Sequence, residues 1–194
     1  MTFQPSDLAR RTFLAGGLAA LSGPALAQTA PKMSGRTAYS FTFPGLHGGE
    51  VRLGDYAGKP LMVVNTASFC GFASQFDSLQ ALWQRLSPRG FALVAVPSND
   101  FGGQEAGTPA ETAEVAHSHG VTYPMTARQR VVGPDAHPFY RWAATERPRE
   151  LPQWNFHKYL IGTDGLIAAV FPTAVNPAES RVAAAIEREF ARVG

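Results

Sequence analysis

Cys70, the single cysteine of the chain, is the residue whose type and position most favour chemistry. The apolar run 61–67 before it predicts a buried strand, and apolar residues at helical spacing follow it from Phe76 to Leu86. A cysteine at a helix N-terminus faces unpaired backbone N–H groups and the positive end of the helix dipole. Both favour the thiolate, the reactive form. The alternative is a small buried hydrophobic residue without chemistry.

Two further segments carry polar side chains that could join Cys70. The Gly-rich loop 97–109 is long enough for a functional role and contains Gln104. It lacks the Lys-Ser/Thr ending of a phosphate-binding loop, which argues against nucleotide binding. Trp154 and Asn155 stand at the start of a predicted strand, where a core aromatic residue beside a turn amide is the ordinary interpretation.

The histidines raise the question of a metal site. His117 and His119 are two residues apart on a predicted helix, so their side chains point to different faces. With His137 and His157 they are better explained as solvated surface histidines than as metal ligands. The chain has no HExxH, GxSxG or GxGxxG pattern, which argues against a metalloprotease, a serine hydrolase and a dinucleotide-binding protein.

The remaining pattern predicts the elements that position these residues. Strands are predicted at 39–43, 51–53, 61–67, 91–96, 154–161 and 166–171, and helices at 76–86, 111–119 and 140–144. Val182, Ile186, Phe190 and Val193 lie on one face of a terminal helix. This order predicts an α/β, thioredoxin-like fold, with a central mixed sheet flanked by helices and an N-terminal β-hairpin.

Composition excludes several classes of protein. A chain of 194 residues fits one domain, and 17 Lys+Arg against 15 Asp+Glu is too balanced for a nucleic-acid-binding surface. One cysteine excludes an internal disulfide, a CxxC redox pair and a cysteine-cluster zinc site.

Residues 1–27 are predicted to be a signal peptide. Arg10 and Arg11 precede an apolar stretch too short to span a bilayer, and Ala25-Leu-Ala27 provides the small residues of a cleavage site. The adjacent arginines followed by Thr-Phe-Leu favour a twin-arginine signal and export to a periplasm, with an ordinary signal peptide as the alternative. Residues 28–38 are then a flexible lead-in, residues 39–194 the domain, and the mature chain keeps no stable membrane anchor.

Several segments together resemble the glutathione peroxidase family. Residues 65–72 (Asn-Thr-Ala-Ser-Phe-Cys-Gly-Phe) resemble its cysteine or selenocysteine motif, residues 97–105 (Pro-Ser-Asn-Asp-Phe-Gly-Gly-Gln-Glu) its second motif and residues 154–156 (Trp-Asn-Phe) its third. Residues 120–125 and 136–140 match family segments in the same order. The resemblance implies a thioredoxin-like fold and a catalytic tetrad. The tetrad residues are Cys70, Gln104, Trp154 and Asn155.

This resemblance implies peroxide chemistry at Cys70. The thiolate would attack a peroxide oxygen and become a sulfenic acid. The side-chain N–H groups of Gln104, Trp154 and Asn155 would donate hydrogen bonds to the thiolate and stabilise charge on the departing oxygen. No cofactor is expected, because the reductant is an external thiol that acts as co-substrate.

Departures from the family pattern define the expected cycle. Ser98 stands where a cysteine is often found, and Asp100 where glutamine is common. Residues 114–119, where thioredoxin-dependent members carry a resolving cysteine, contain none. We therefore expect a monomer with a one-cysteine cycle, in which a low-molecular-weight or protein thiol reduces the sulfenic acid. The alternative is a periplasmic thioredoxin-fold peroxide sensor or binding protein without efficient turnover; disulfide exchange and copper delivery suit a one-cysteine chain less well.

Overall fold

A computed structural model describes residues 1–2 and 35–192. Residues 3–34 lie outside the described residues, and they include most of the predicted signal peptide and part of the predicted lead-in. Val193, the last residue of the predicted helical face, lies outside them as well. Within the described part, no helix has both the length and the apolar character needed to cross a membrane.

A four-stranded mixed sheet forms the centre of the domain. Its strands are β3 (Leu61–Thr66), β4 (Ala92–Pro97), β5 (Lys158–Ile161) and β6 (Ile167–Phe171), in the order β4-β3-β5-β6. β3 and β4 are parallel, whereas β5 is antiparallel to both β3 and β6. Every residue of β3 and β4 is buried, because helices cover both faces, and this explains their continuous apolar sequence.

The described residues contain four α-helices, namely α1 (Gln75–Leu86), α2 (Pro109–Ser118), α3 (Pro138–Glu146) and α4 (Ser180–Phe190). α1 and α4 pack with Met62 and Val64 on one face of β3. α3 packs with Leu61 and Val63 on the other face. The period-two alternation of β3 therefore divides the core into two layers.

The N-terminal hairpin pairs β1 (Thr42–Pro44) with β2 (Glu50–Arg52) in a separate two-stranded sheet. An extended segment at residues 124–126 connects it to the outer edge of β4. The N–H of Thr126 donates to the carbonyl of Ala95 at 2.9 Å, and the N–H of Ala127 donates to the carbonyl of Pro44 at 2.8 Å. The predicted α/β class, mixed sheet, flanking helices and hairpin are all confirmed.

Two of the predicted strands start too early. Ala38–Ser40 forms a 3-10 turn instead of strand, because the N–H of Ala38 donates to the carbonyl of Gly165 and the Tyr39 hydroxyl donates to that of Thr163. Residues 154–157 form a turn, and β5 begins at Lys158. These tertiary contacts override the local preference for strand.

α3 is longer than the single predicted turn at 140–144. His137 caps it by accepting the N–H of Phe139 at 3.2 Å on Nδ1, and Pro138 occupies the first position, where its missing N–H costs nothing. The structure thus corrects a surface assignment for His137, whose ring also stacks on Phe43 at 3.8 Å.

Candidate active site

Cys70 lies in a tight turn between β3 and α1, not at the helix N-terminus that its sequence position predicts. α1 begins at Gln75, and two consecutive turns separate it from β3. The N–H of Phe72 donates to Sγ of Cys70 at 3.5 Å, and the N–H of Ala73 donates to its carbonyl at 2.8 Å. The turn itself therefore provides the backbone donor that was expected from the helix. Only 5% of Cys70 is exposed.

Three aromatic side chains around this turn and the third motif are open to solvent. Exposure is 67% for Phe69, 39% for Phe72 and 38% for Trp154, and these are the exposed large hydrophobic side chains from residue 35 to residue 192. We call them the aromatic rim. Exposed large apolar side chains next to candidate catalytic residues are candidates for substrate contact.

Gln104 and Asn155 are in direct contact. Nδ2 of Asn155 donates to Oε1 of Gln104 at 3.1 Å and to the carbonyl of Phe101 at 3.3 Å. Both hydrogens of this amide are therefore engaged, which corrects the expectation that Asn155 donates to the thiolate. Oε1 of Gln104 accepts this bond, so the other polar group of the Gln104 amide is its Nε2 donor. Nε2 donates to no described residue.

The Gly-rich loop brings Gln104 beside Trp154. Gly102 adopts a φ of +68°, and a Cβ on it would lie 3.4 Å from both the Gln104 and the Trp154 side chains. The Phe101 and Trp154 rings are 5.9 Å apart. The left-handed backbone conformation of Gly102 therefore favours glycine at this position.

Residues 154–156 are held from β3. Nδ2 of Asn65 donates to the carbonyl of Trp154 at 3.1 Å, and the N–H of Phe156 donates to the carbonyl of Asn65 at 2.6 Å. Phe156 has a φ of +61°, the only positive value of a non-glycine residue in the described part of the chain. Its buried ring packs edge-on against Phe76 of α1, 5.2 Å away. This packing offsets a backbone strain of about 1–3 kcal/mol.

Two buried titratable side chains follow this turn. Nζ of Lys158 donates to the carbonyls of Phe156 at 2.6 Å and Val175 at 2.8 Å. Burial lowers the pKa of Lys158 from 10.5 to about 7. Burial, with a smaller contribution from the Lys158 charge, also lowers the pKa of His157 from 6.5 to about 4. His157 is therefore a buried neutral side chain rather than a surface histidine.

Two carboxylates of the Gly-rich loop have contacts that the sequence did not predict. Oδ2 of Asp100 accepts the N–H groups of Val131 at 2.6 Å and Val132 at 3.1 Å, which explains an acid where the family often has glutamine. Glu105 is buried and binds Ser68, two residues before Cys70. The available signal was the position of Glu105 directly after Gln104 in the second motif.

The other candidate features lie elsewhere. His119 pairs with Asp77 at 2.8 Å, and no group of three or more metal-ligating side chains occurs among the described residues. A cavity of about 700 Å³ lies between the hairpin and α2, and neither Cys70 nor Gln104, Trp154 or Asn155 lines it.

Comparison with known proteins identifies the family. A family model described as glutathione peroxidase matches residues 38–144, a range that contains Cys70 and Gln104. The hydroperoxy fatty acid reductase of Synechocystis sp. is 37% identical over 162 residues, which cover 78% of this chain and 95% of that protein. The chain belongs to the glutathione peroxidase family. As a member of this family it is a thiol-dependent peroxidase, so the resemblance inferred from the motifs is confirmed.

Solved structures confirm the thioredoxin-like fold. The crystal structure of Trgpx in its apo form matches with a TM-score of 0.64 and 32% identity, covering 79% of this chain and 97% of that one. A thiol:disulfide interchange protein of the thioredoxin family from Chlorobium tepidum matches with a TM-score of 0.57 at 14% identity, covering 77% and 92% of the two chains. The second match bears on the fold alone.

Proposed function

We propose that Cys70 carries the peroxidase activity in a one-cysteine cycle. The observation that supports this most directly is the position of the chain's only cysteine, in a turn that is bound to the Gln104 loop. The N–H of Phe69 donates to the carbonyl of Gln104 at 2.8 Å, and the Gln104 side chain in turn contacts Asn155. These bonds link the segments of the three family motifs, which supports a shared site at Cys70.

The first half of the cycle oxidises the thiol. The Cys70 thiolate attacks one oxygen of the hydroperoxide, the O–O bond breaks, and the second oxygen leaves as water or an alcohol after it gains a proton. Sγ keeps the first oxygen as a sulfenic acid. In this cycle the free N–H groups of Gln104 and Trp154 stabilise negative charge on sulfur and on the departing oxygen, a role supported by their having no other acceptor among the described residues.

The second half needs two equivalents of an external thiol. The first thiol attacks Sγ of the sulfenic acid, which gives a mixed disulfide and releases water. The second attacks that mixed disulfide and returns Cys70 to its thiol form, with release of the oxidised disulfide. The chain has no other cysteine to replace either equivalent, and these steps need no prosthetic group.

The aromatic rim favours apolar hydroperoxides. Phe69 and Phe72 are exposed apolar neighbours of the buried Cys70 in sequence, and Trp154 of the third motif is exposed as well. A relative of 37% identity is named a hydroperoxy fatty acid reductase, which agrees with this preference. We therefore propose that a fatty acid hydroperoxide reacts with a higher kcat/KM than hydrogen peroxide.

The first test is rapid-mix oxidation of the mature protein by hydrogen peroxide and by a fatty acid hydroperoxide. Intact mass reports the oxygen added at Cys70, and Cys70→Ser is the control. Oxidation much faster than that of free cysteine, absent in Cys70→Ser and followed by repeated turnover with excess thiol, supports the proposal. A single oxidation without turnover supports a peroxide sensor instead, and oxidation at the rate of free cysteine refutes both.

We further propose that residues 1–27 direct the folded protein to a periplasm by the twin-arginine route. The basis is the sequence, in which Arg10 and Arg11 precede a short apolar stretch and the Ala25-Leu-Ala27 site. Replacing both arginines by lysine (Arg10→Lys, Arg11→Lys) should leave the precursor in the cytoplasm, because the twin-arginine route depends on the arginine pair. A general secretory signal needs only positive charge and would tolerate the lysines. Unchanged export of that variant would point to the general secretory route.

A further inference from the structure

Glu105 is a buried carboxylate that the peroxidase cycle does not use. Its residue exposure is 6%, and it forms no ion pair with any described residue. Oε2 accepts the N–H of Ser68 at 3.1 Å, and Oε1 accepts the hydroxyls of Ser68 and Thr112, each at 2.7 Å, and the N–H of Ala106 at 2.9 Å. A buried charge is costly unless hydrogen bonds compensate it, and four donors do so here.

The donors to Glu105 include the turn that carries Cys70 and the Gly-rich loop, and Thr112 adds a contact from α2. Ser68 precedes Cys70 by two residues, and Gln104 is the neighbour of Glu105 itself. With the bond from the Phe69 N–H to the Gln104 carbonyl, three hydrogen bonds join residues 68–69 to residues 104–105. The N–H of Glu105 also donates to Oδ1 of Asn99 at 3.0 Å, which closes the Gly-rich loop behind it.

We propose that Glu105 is a positioning residue that holds the Cys70 turn in register with the Gln104 side chain. It acts through Ser68 and does not touch the reacting atoms. Because the reaction needs Sγ and the Gln104 donor at the same peroxide, a small relative shift of the two loops would slow oxidation without unfolding the protein. The inference rests on the proposed role of Cys70 and Gln104.

A glutamine cannot replace Glu105 without loss. Each carboxylate oxygen accepts one backbone N–H, from Ser68 on Oε2 and from Ala106 on Oε1. An amide has only one oxygen, so either orientation sets its NH₂ group against a backbone N–H that cannot reverse its role. Glu105→Gln therefore breaks the contact with nearly unchanged shape, which makes it the sharpest variant.

The test compares two reactions of the same thiol in the mature protein. Peroxide oxidation requires both Cys70 and the Gln104 donor, whereas alkylation by iodoacetamide requires only an accessible thiolate. The variants are Glu105→Gln and Ser68→Ala, which removes one donor and keeps the carboxylate. The matched control is Glu111→Gln. Glu111 is an exposed acid that caps α2, the helix that carries Thr112, and it makes no hydrogen bond to Ser68. Circular dichroism and urea unfolding establish that each variant is folded under assay conditions.

We expect Glu105→Gln to lower the peroxide rate constant by about tenfold to a hundredfold and the alkylation rate by less. Ser68→Ala should lower the peroxide rate by about fivefold, and Glu111→Gln should leave it unchanged. If folded Glu105→Gln reacts with peroxide as fast as the parent protein, the inference is overturned. It is also overturned if the rate constants of oxidation and alkylation fall by the same factor. If Glu105→Gln does not fold, a parent rate in Ser68→Ala overturns it. If the parent protein reacts no faster than free cysteine, the proposed function itself has failed, and this inference fails with it.

Discussion

The donors of the site differ in how many of their hydrogens are free. Both Asn155 Nδ2 hydrogens are engaged, by Gln104 and by the carbonyl of Phe101. Nε2 of Gln104 and Nε1 of Trp154 donate to no side chain or carbonyl in the described residues. Asn155 therefore orients the Gln104 amide, while the N–H groups of Gln104 and Trp154 remain available for the peroxide or the thiolate in the proposed cycle.

Removal of a free donor should slow the oxidation of Cys70. Gln104→Ala removes a side-chain NH₂ group and Trp154→Phe an indole N–H, and if each stabilises developing charge as proposed, the loss is about 1.5–3 kcal/mol. We expect each to lower the rate constant with peroxide by about tenfold or more. Gln84→Ala and Trp83→Phe, both on α1, are the matched controls in the same rapid-mix assay. A parent rate in both site variants would refute the assignment of these donors, even if Cys70 is reactive.

The orienting role of Asn155 makes a different prediction. Asn155→Asp would set a carboxylate against the two oxygens that now accept from Nδ2, so we expect a larger loss of rate than with Asn155→Ala. In the double variant of Gln104→Ala with Asn155→Ala, the loss should be smaller than the sum of the two single losses, because Asn155 acts through Gln104. Strictly additive losses would instead show that Asn155 acts on the sulfur by itself.

Sequence alone predicts the residue types of the site better than their contacts. Motif spacing singles out Cys70, Gln104, Trp154 and Asn155, and the structure brings the last three together. The role of Glu105 could not be predicted, since its donors Ser68 and Thr112 lie 37 and 7 residues away, and an acid in a polar loop is ordinarily solvated.

At the scale of elements, the predictions hold where hydrophobic periodicity is strong. β3, β4, α1 and α4 were predicted to within a few residues, because buried strands and amphipathic helices carry a clear pattern. The start of β5 was wrong, because the left-handed Phe156 interrupts the chain just before Lys158. That conformation depends on contacts with Asn65 and Phe76, which are distant in sequence, and with Lys158. None of these contacts can be inferred from the residues around Phe156.

The buried start of β5 should make stability depend on pH. Burial lowers the Lys158 pKa to about 7, whereas an unfolded chain titrates this lysine near 10.5. Between these values the unfolded state binds more protons, so the contribution of Lys158 to stability rises with pH, by up to about 1.4 kcal/mol per pH unit. This pH range lies above the range in which His157 affects stability, since the pKa of His157 is lowered from 6.5 to about 4.

Urea unfolding at pH 7 and pH 9 measures this dependence. We expect the free energy of unfolding of the parent protein to rise with pH relative to that of Lys158→Met. Lys59→Met, at an exposed lysine, should follow the parent at both pH values. An equal pH dependence in the parent and in Lys158→Met would contradict the prediction.

At the scale of the whole molecule, backbone bonds from another segment cover part of one edge of the central sheet, and an arginine side chain binds one carbonyl at the other edge. The segment 124–126 bonds to the outer edge of β4, and the Arg147 guanidinium donates to the carbonyl of Ile167 in β6. Covered edges disfavour pairing with a second chain. We therefore expect the mature protein to sediment as a monomer across a wide range of concentrations, with the aromatic rim free. A dimer that strengthens with concentration would contradict this.

The different surroundings of the three tryptophans give the molecule a built-in optical probe. Trp142 is buried against Phe139 and Trp83 is partly buried on α1, whereas Trp154 is 38% exposed beside Gln104. A change in charge or polarity at Cys70 should therefore alter mainly the emission of one indole. Fluorescence of the unlabelled protein can then follow each redox state of the thiol in turn, and Trp154→Phe should remove that signal while the other two indoles still report folding.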